Sequence, residues 1–308
     1  MKELKVLVTG SNGFIGKELV KELQKRNAEV VEFDKSKGKD ILNIDQLEQN
    51  CKGCDAIIHL AALLDEKAPL EELRKINVEG TKNALEAATR QKVKKFILQS
   101  TTGVYGDFQG QASEETQKKP STNYEISKSE AEEIALEFQE MIPITIARSA
   151  LVLGPNDYWK QIVEAVKKDF PVIGSGKNKW QIIYCKDLTN ALIFLLYSKD
   201  SEFETFNIAE DPEKAKNLNE LVGLIKKEIG IEKKTRHVPV FLGFLMLSLK
   251  SIVDKIKGKK SVISPEHIKR LLKNRNYSIA KIQKIGWKPK YSTEEAVKET
   301  IKELQAKN

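Results

Sequence analysis

Apolar residues along the chain fall in short runs, separated by longer stretches in which they recur every third or fourth position. The runs Lys5–Thr9, Glu29–Phe33, Ala56–His59, 95–100 and 144–148 are rich in Val, Ile and Leu and have the length of strands. Helical patterns lie between them, clearest at 70–90 and 124–140. Short strands alternating with helices predict a parallel sheet covered by helices on both faces, because joining parallel strands requires a crossover. Sheets of this kind bind ligands at the carboxyl ends of their strands.

The second half is less regular. Pro155, Pro171, Gly174 and Gly176 punctuate a loop-rich stretch. Residues 187–197 then read as a helix and Thr205–Ile208 as a strand, and both are expected to return to the sheet. The remainder reads as a smaller, mainly helical lobe. The expected division is 1–155 with 186–208 for the sheet domain, and 156–185 with 209–308 for the lobe.

Composition narrows the class. With 308 residues, 40% hydrophobic and 31% charged, the chain is long enough for a sizeable core and has a globular balance. No apolar run reaches membrane-span length, so no integral span is expected. The start, Met1-Lys2-Glu3-Leu4-Lys5, runs into the first strand pattern without a signal peptide, which points to the cytoplasm. Cys51-Lys52-Gly53-Cys54 has the spacing of a redox or metal pair. Three histidines and one other cysteine supply no second ligand pair, so a structural role and no metal are expected.

Charge is uneven. Residues 226–308 hold 21 Lys/Arg against 8 Asp/Glu, while the other 225 hold 31 against 36. A basic C-terminal third suits an anionic substrate or a solvated surface. Its lysines are not interleaved with aromatics, so nucleic-acid binding is not expected.

The strongest local signal is Thr9-Gly10-Ser11-Asn12-Gly13-Phe14-Ile15-Gly16, which follows a strand and opens a helix. Glycines at 10, 13 and 16 permit a tight turn, close approach of a pyrophosphate and close helix–strand packing. Gly10, Asn12, Gly13, Phe14, Ile15 and Gly16 are therefore candidate dinucleotide contacts, with the pyrophosphate on the free N–H groups of the helix. Asp34 ends the second strand, 18 residues beyond Gly16. A carboxylate there accepts hydrogen bonds from ribose hydroxyls and repels the extra phosphate of NADP, so NAD is the expected cofactor. Tyr124 and Lys128 share a helix face at i and i+4, and a nearby ammonium favours a phenolate.

Glycine loop, acidic strand end and Tyr-x-x-x-Lys resemble, in order and spacing, the extended branch of the short-chain dehydrogenase/reductase superfamily. That branch holds the NAD-dependent epimerase/dehydratase and 3β-hydroxysteroid-dehydrogenase-like enzymes. The resemblance covers essentially the whole chain and implies a Rossmann doubly wound parallel sheet with a C-terminal substrate lobe. It also implies that Asp40 and Ile41 contact adenine, that Leu60, Ala61 and Ala62 form the fourth-strand cofactor wall, and that Asn77 is the helix-four asparagine. Within Ser100-Thr101-Thr102-Gly103-Val104-Tyr105-Gly106, it makes Thr101 the catalytic hydroxyl. Tyr124 becomes the acid/base and Lys128 the ribose-holding cation. Further landmarks are Gly154-Pro155, Tyr184-Cys185-Lys186-Asp187, Phe206-Asn207-Ile208 and Gly286-Trp287-Lys288-Pro289.

Departures from the family pattern shape the expected reaction. Dehydratases carry two acidic residues after the catalytic threonine, where this chain has Thr102 and Gly103, so dehydration is disfavoured. Nucleotide-sugar epimerases usually have an asparagine and an arginine where Leu151 and Trp180 stand. Those two residues are the candidate substrate contacts and suggest an apolar pocket. The apolar stretch 238–249 has basic flanks and reads as a packed helix, a substrate lid or a membrane-surface element. A dehydrogenase or reductase acting on a secondary alcohol or ketone is the first expectation, a UDP-glucose 4-epimerase-like enzyme the alternative, and a non-catalytic NAD-binding regulator the third. Helices 70–90 and 124–140 correspond to the pair that builds a homodimer interface in many relatives.

Overall fold

The computed structural model describes residues 4–65, 67–245 and 271–306. The first unit comprises Met1–Val152, Ile183–Pro212 and Tyr277–Lys290. Its elements alternate as expected: β1 (Lys5–Thr9), α1 (Phe14–Gln24), β2 (Glu29–Phe33), α2 (Ile44–Cys51), β3 (Ala56–His59), α3 (Leu70–Arg74), a π-helical turn (Lys75–Glu79), α4 (Gly80–Arg90), β4 (Lys95–Thr101), α5 (Asn123–Glu137) and β5 (Ile144–Ser149). After β6 (Leu151–Leu153), α6 (Asp157–Lys167), β7 (Val172–Ile173) and β8 (Ile182–Tyr184) come α7 (Cys185–Tyr197) and β9 (Thr205–Ile208).

Six parallel strands form the sheet in the order β2-β1-β3-β4-β5-β9. The order reverses between β1 and β3, so the crevice at their carboxyl ends is the expected ligand site of a doubly wound sheet. Alternation along β1 serves both faces. Val6 and Val8 join Leu19 and Leu23 of α1 and Leu188 and Leu192 of α7, whereas Leu7 joins Leu47 of α2 and Ala84 and Leu85 of α4. The resemblance counts the strand before Leu60 as the fourth, yet it is the third here. Residues 40–41 lie in a turn, in which the Asp40 carboxylate accepts from Leu42 N–H at 2.9 Å.

Tyr277–Lys290 groups with this unit although it lies within 209–308. Ile279, Ile282 and Trp287 are buried in the α1/α7 side of the core, and the Trp287 indole donates to Asn190 at 3.2 Å. Cys51 and Cys54 are free and buried, and burial pushes their thiols up to about 12 and about 11. In the two helices that correspond to a homodimer pair in relatives, Leu73, Ala84 and Leu85 are buried in this chain, while Leu136 is exposed.

The second unit comprises Leu153–Ile182, Glu213–Asn276 and Tyr291–Asn308. Here α8 (Leu218–Glu228) packs against α6 and the C-terminal helix Thr293–Ala306. β7 pairs in parallel with β10 (His237–Val238). Among the described residues no helix is long and apolar enough to cross a membrane.

His59 closes β3 and is buried between Thr9 Oγ1 at 2.9 Å and Thr81 Oγ1 at 3.1 Å. Burial, reinforced by the Lys128 charge, pushes its imidazole down to about 3 from 6.5. The unfolded chain therefore takes up a proton first, and stability is lost as pH falls below 6.5. Denaturant unfolding is expected to show about 2 kcal/mol less stability at pH 5 than at pH 7 from this group, a slope that His59→Gln flattens. An unchanged slope in the variant refutes the assignment.

Candidate active site

Gly10 has φ +68°, and a Cβ there would lie 2.8 Å from Ala61 N, so this glycine lets the loop after β1 press against the chain after β3. A Cβ on Gly16 would meet Gly10 O at 2.1 Å, which makes the first turn of α1 close against the loop. Gly13 occupies the N-cap of α1 with no side-chain cap, leaving first-turn N–H groups for an anion. Ser11 Oγ is buried in this loop and has no hydrogen-bond partner among the described residues.

Asp34 faces the same loop. Its carboxylate accepts from Asn12 N–H at 3.0 Å, from Ser36 N–H at 2.9 Å and from the Ser36 hydroxyl at 2.7 Å. Burial raises its affinity for a proton, but these bonds and the Lys37 charge outweigh it and hold the group below its usual value. Ile41 is buried under Gly80, whose missing Cβ leaves it room at 2.9 Å. Leu60 and Ala61 are half-buried and Ala62 exposed, with Ala61 N–H donating to Thr9 Oγ1 at 3.2 Å. Asn77 spends its amide internally: Oδ1 accepts from Leu63 N–H at 2.7 Å, and Nδ2 donates to Leu63 O at 3.2 Å and Ser127 Oγ at 2.9 Å. It positions the loop after β3 against α5.

A capping box starts α5. Glu125 N–H donates to Thr122 Oγ1 at 3.2 Å, and Thr122 N–H donates to the Glu125 carboxylate at 3.1 Å. This start puts Tyr124 in the first turn and Lys128 one turn on, along one face. Lys128 is buried and donates to Gln99 O at 2.7 Å. Burial pushes its ammonium down to about 8, against the opposing pull of Glu132. Gln99 lies two residues before Thr101, which ends β4, and Thr101 Oγ1 accepts from Gly103 N–H at 3.0 Å. A Cβ on Gly103 would lie 3.0 Å from Glu125 Cγ and 3.3 Å from Thr101 Oγ1. The end of β4 and the start of α5 therefore converge on this glycine, bringing Thr101 beside the turn that carries Tyr124.

Sequence reasoning missed the support behind these residues. Glu132, one turn beyond Lys128, takes Arg148 Nε at 2.9 Å and Nη2 at 2.7 Å, plus the Ser100 hydroxyl at 2.6 Å. Arg148 Nη1 donates to the Tyr105 hydroxyl at 2.9 Å, which donates to Asn207 at 2.7 Å. Burial works against the Arg148 charge, and Glu132 more than compensates, keeping the guanidinium protonated. The i, i+4 spacing of Lys128 and Glu132 was the available signal.

Leu151 is half-buried in the first unit. Trp180 belongs to the second unit and does not form an exposed apolar wall. It is 2% exposed, its indole donates to Leu271 O at 3.2 Å, and the Arg275 guanidinium lies 4.1 Å from the ring centre. The described part of 238–249 ends at Leu245, and 246–249 lie outside the described residues.

A glycine loop at the switch point of a parallel sheet, with a Tyr–Lys helix anchored to a neighbouring strand, defines a dinucleotide-dependent enzyme class. The chain belongs to the NAD dependent epimerase/dehydratase family, whose profile matches residues 6–209. It is 25% identical, over 96% of its length and 94% of the relative's, to the N-acetyl-alpha-D-glucosaminyl-diphospho-ditrans,octacis-undecaprenol 4-epimerase of Escherichia coli O157:H7. It is 28% identical to the UDP-glucose 4-epimerase of Vibrio cholerae, covering 98% of this chain and 96% of that one. In fold it is similar to the Thermotoga maritima UDP-glucose 4-epimerase solved with UDP-glucose, with TM-score 0.79, 23% identity and 99% of each chain covered. NAD is the cofactor of this family, and the residues present fit it: the uncapped α1 N-terminus and orphan Ser11 Oγ suit the pyrophosphate, and Asp34 suits the ribose hydroxyls.

Proposed function

We propose that the protein is an NAD-dependent 4-epimerase of diphosphate-linked sugars, with Tyr124, Thr101 and Lys128 as its catalytic residues. This reverses the order expected from sequence, in which an unspecified dehydrogenase came first. That order rested on the loss of diphosphate-binding groups at Leu151 and Trp180. The observation that carries the new reading is the likeness, over almost the whole chain, to two sugar 4-epimerases. Within the second unit Arg275, over Trp180, is a guanidinium of the kind that binds a diphosphate bidentately where a tryptophan cannot. Dehydration remains disfavoured, because Thr102 and Gly103 offer no acid or base where dehydratases carry two carboxylates.

Bound NAD supplies reversible hydride acceptance at the sugar carbon. Tyr124 takes the proton from the substrate hydroxyl as that carbon is oxidised and returns it on reduction. Thr101 hydrogen-bonds the same oxygen. Lys128, charged, favours the phenolate and holds the cofactor ribose. Asp34 would repel a 2′-phosphate, so Asp34→Arg is expected to move preference toward NADP by at least about tenfold in Kd. Tighter binding of NADP than NAD by the wild type in calorimetry refutes this.

A second reading concerns the carrier. The exposed apolar residues Phe241, Leu242 and Leu245 in the second unit, and the likeness to an undecaprenol-linked sugar epimerase, favour a polyprenyl diphosphate over a nucleotide. The test incubates the enzyme and NAD with UDP-N-acetylglucosamine and, separately, with its polyprenyl-diphosphate counterpart, and measures the 4-epimer by chromatography. Turnover of either supports epimerisation and identifies the carrier; turnover of neither refutes it. Arg275→Leu is expected to weaken binding of the active substrate at least about 30-fold, with Arg275→Lys between the two.

A further inference from the structure

In the second unit the chain leaves β10 and is helical over 240–245. Helical geometry divides these residues into two faces. Val240 and Phe244 pack with Ile173, and a Cβ on Gly243 would lie 2.7 Å from Ile173 Cγ2, so this face is seated on β7. On the other face Phe241 is 68% exposed, Leu242 37% and Leu245 54%. Eight large apolar side chains are exposed among the described residues; three share this turn and the other five are separate in sequence. Isolated exposed apolar residues are ordinary, but a contiguous group marks a surface that something covers.

We propose that this turn docks the protein onto an anionic lipid bilayer surface. Charge selects the partner. Lys233 and Lys234 are exposed just before β10, and the sequence from 233 to 260 carries eight Lys/Arg and one acidic residue, Asp254. An apolar turn flanked by lysines matches a surface that offers acyl chains beneath anionic headgroups. Phe241, Leu242 and Leu245 enter the acyl boundary, and Lys233 and Lys234 meet phosphates. The same turn supports the polyprenyl-carrier reading, and vesicles free of substrate test the docking apart from it.

The test is co-sedimentation of the full chain with vesicles of phosphatidylcholine alone or mixed with phosphatidylglycerol. The wild type is expected to bind the mixed vesicles, with a partition coefficient at least about 100-fold above that of Phe241→Ser/Leu242→Ser/Leu245→Ser. Lys233→Glu with Lys234→Glu is expected to reduce the preference for anionic over neutral vesicles. NAD affinity and thermal unfolding serve as folding controls. Independently, Phe241→Cys bearing an environment-sensitive fluorophore is expected to shift to the blue with mixed vesicles. Absence of vesicle binding, equal binding by the triple variant, or an unshifted fluorophore overturns the proposal. So does a concentration-dependent dimer that the triple substitution dissociates without any vesicle binding, which makes a second copy the occupant.

Discussion

Tyr124→Phe is expected to lower kcat by about 10³-fold, or about 4 kcal/mol of barrier, while KM and NAD retention change little. The substitution removes one oxygen and leaves the ring, so the capping box of Thr122 and Glu125 and the Lys128–Gln99 bond still hold α5 in place. In the proposed mechanism, what is lost is the proton carrier at the substrate oxygen, an interaction needed only as hydride moves. Thr101→Ala also removes a hydrogen bond to that oxygen, and its smaller expected loss, about 10²-fold, separates orientation from proton transfer. Steady-state kinetics with the sugar diphosphate that the enzyme turns over provide the measurement. Retention of activity within tenfold in Tyr124→Phe removes the tyrosine from the mechanism.

Arg148→Ala is expected to destabilise the fold by about 3–5 kcal/mol, because it leaves the buried Glu132 carboxylate without its bidentate partner. Glu132→Ala strands the guanidinium instead and is expected to cost a similar amount. The double variant should cost clearly less than the two losses added together, the mark of a coupled pair. Replacing both by apolar residues of similar size, Arg148→Met with Glu132→Leu, is expected to recover much of the stability. Activity should still fall, since Ser100 loses the carboxylate that ties β4 to α5 beside Thr101. Chemical denaturation measures the first effect and kcat the second. A loss below about 1 kcal/mol in Arg148→Ala sinks this account of the pair.

Strands β1, β2, β3 and β9 stand where the short apolar runs place them, and β3, in the middle of the sheet, is buried along its whole length, as a strand covered on both faces is. The helix expected at 70–90 is interrupted by the π-helical turn Lys75–Glu79. There the Asn77 amide turns toward Leu63 and Ser127, and periodicity cannot reveal an extra residue whose cause is a contact 50 positions away. The surroundings of Trp180 were hidden for a related reason. Arg275, 95 residues later in sequence, lies over it.

What the sequence determined by itself was the order of strands and helices, the glycine loop, the acidic end of β2 and the Tyr–Lys spacing. Each depends on interactions within a few residues: pleat alternation, the φ that Gly10 adopts, the cap of α5 and the i, i+4 face. Only the tertiary structure decided that Lys128 is held by Gln99, that Glu132 and Arg148 brace β4, β5 and α5, that Arg275 covers Trp180, and that one turn of the second unit is apolar yet exposed. Burial and pairing are properties of the assembled chain. A charge or an apolar side chain acquires its energy from the neighbours that folding brings to it, and those neighbours are remote in sequence.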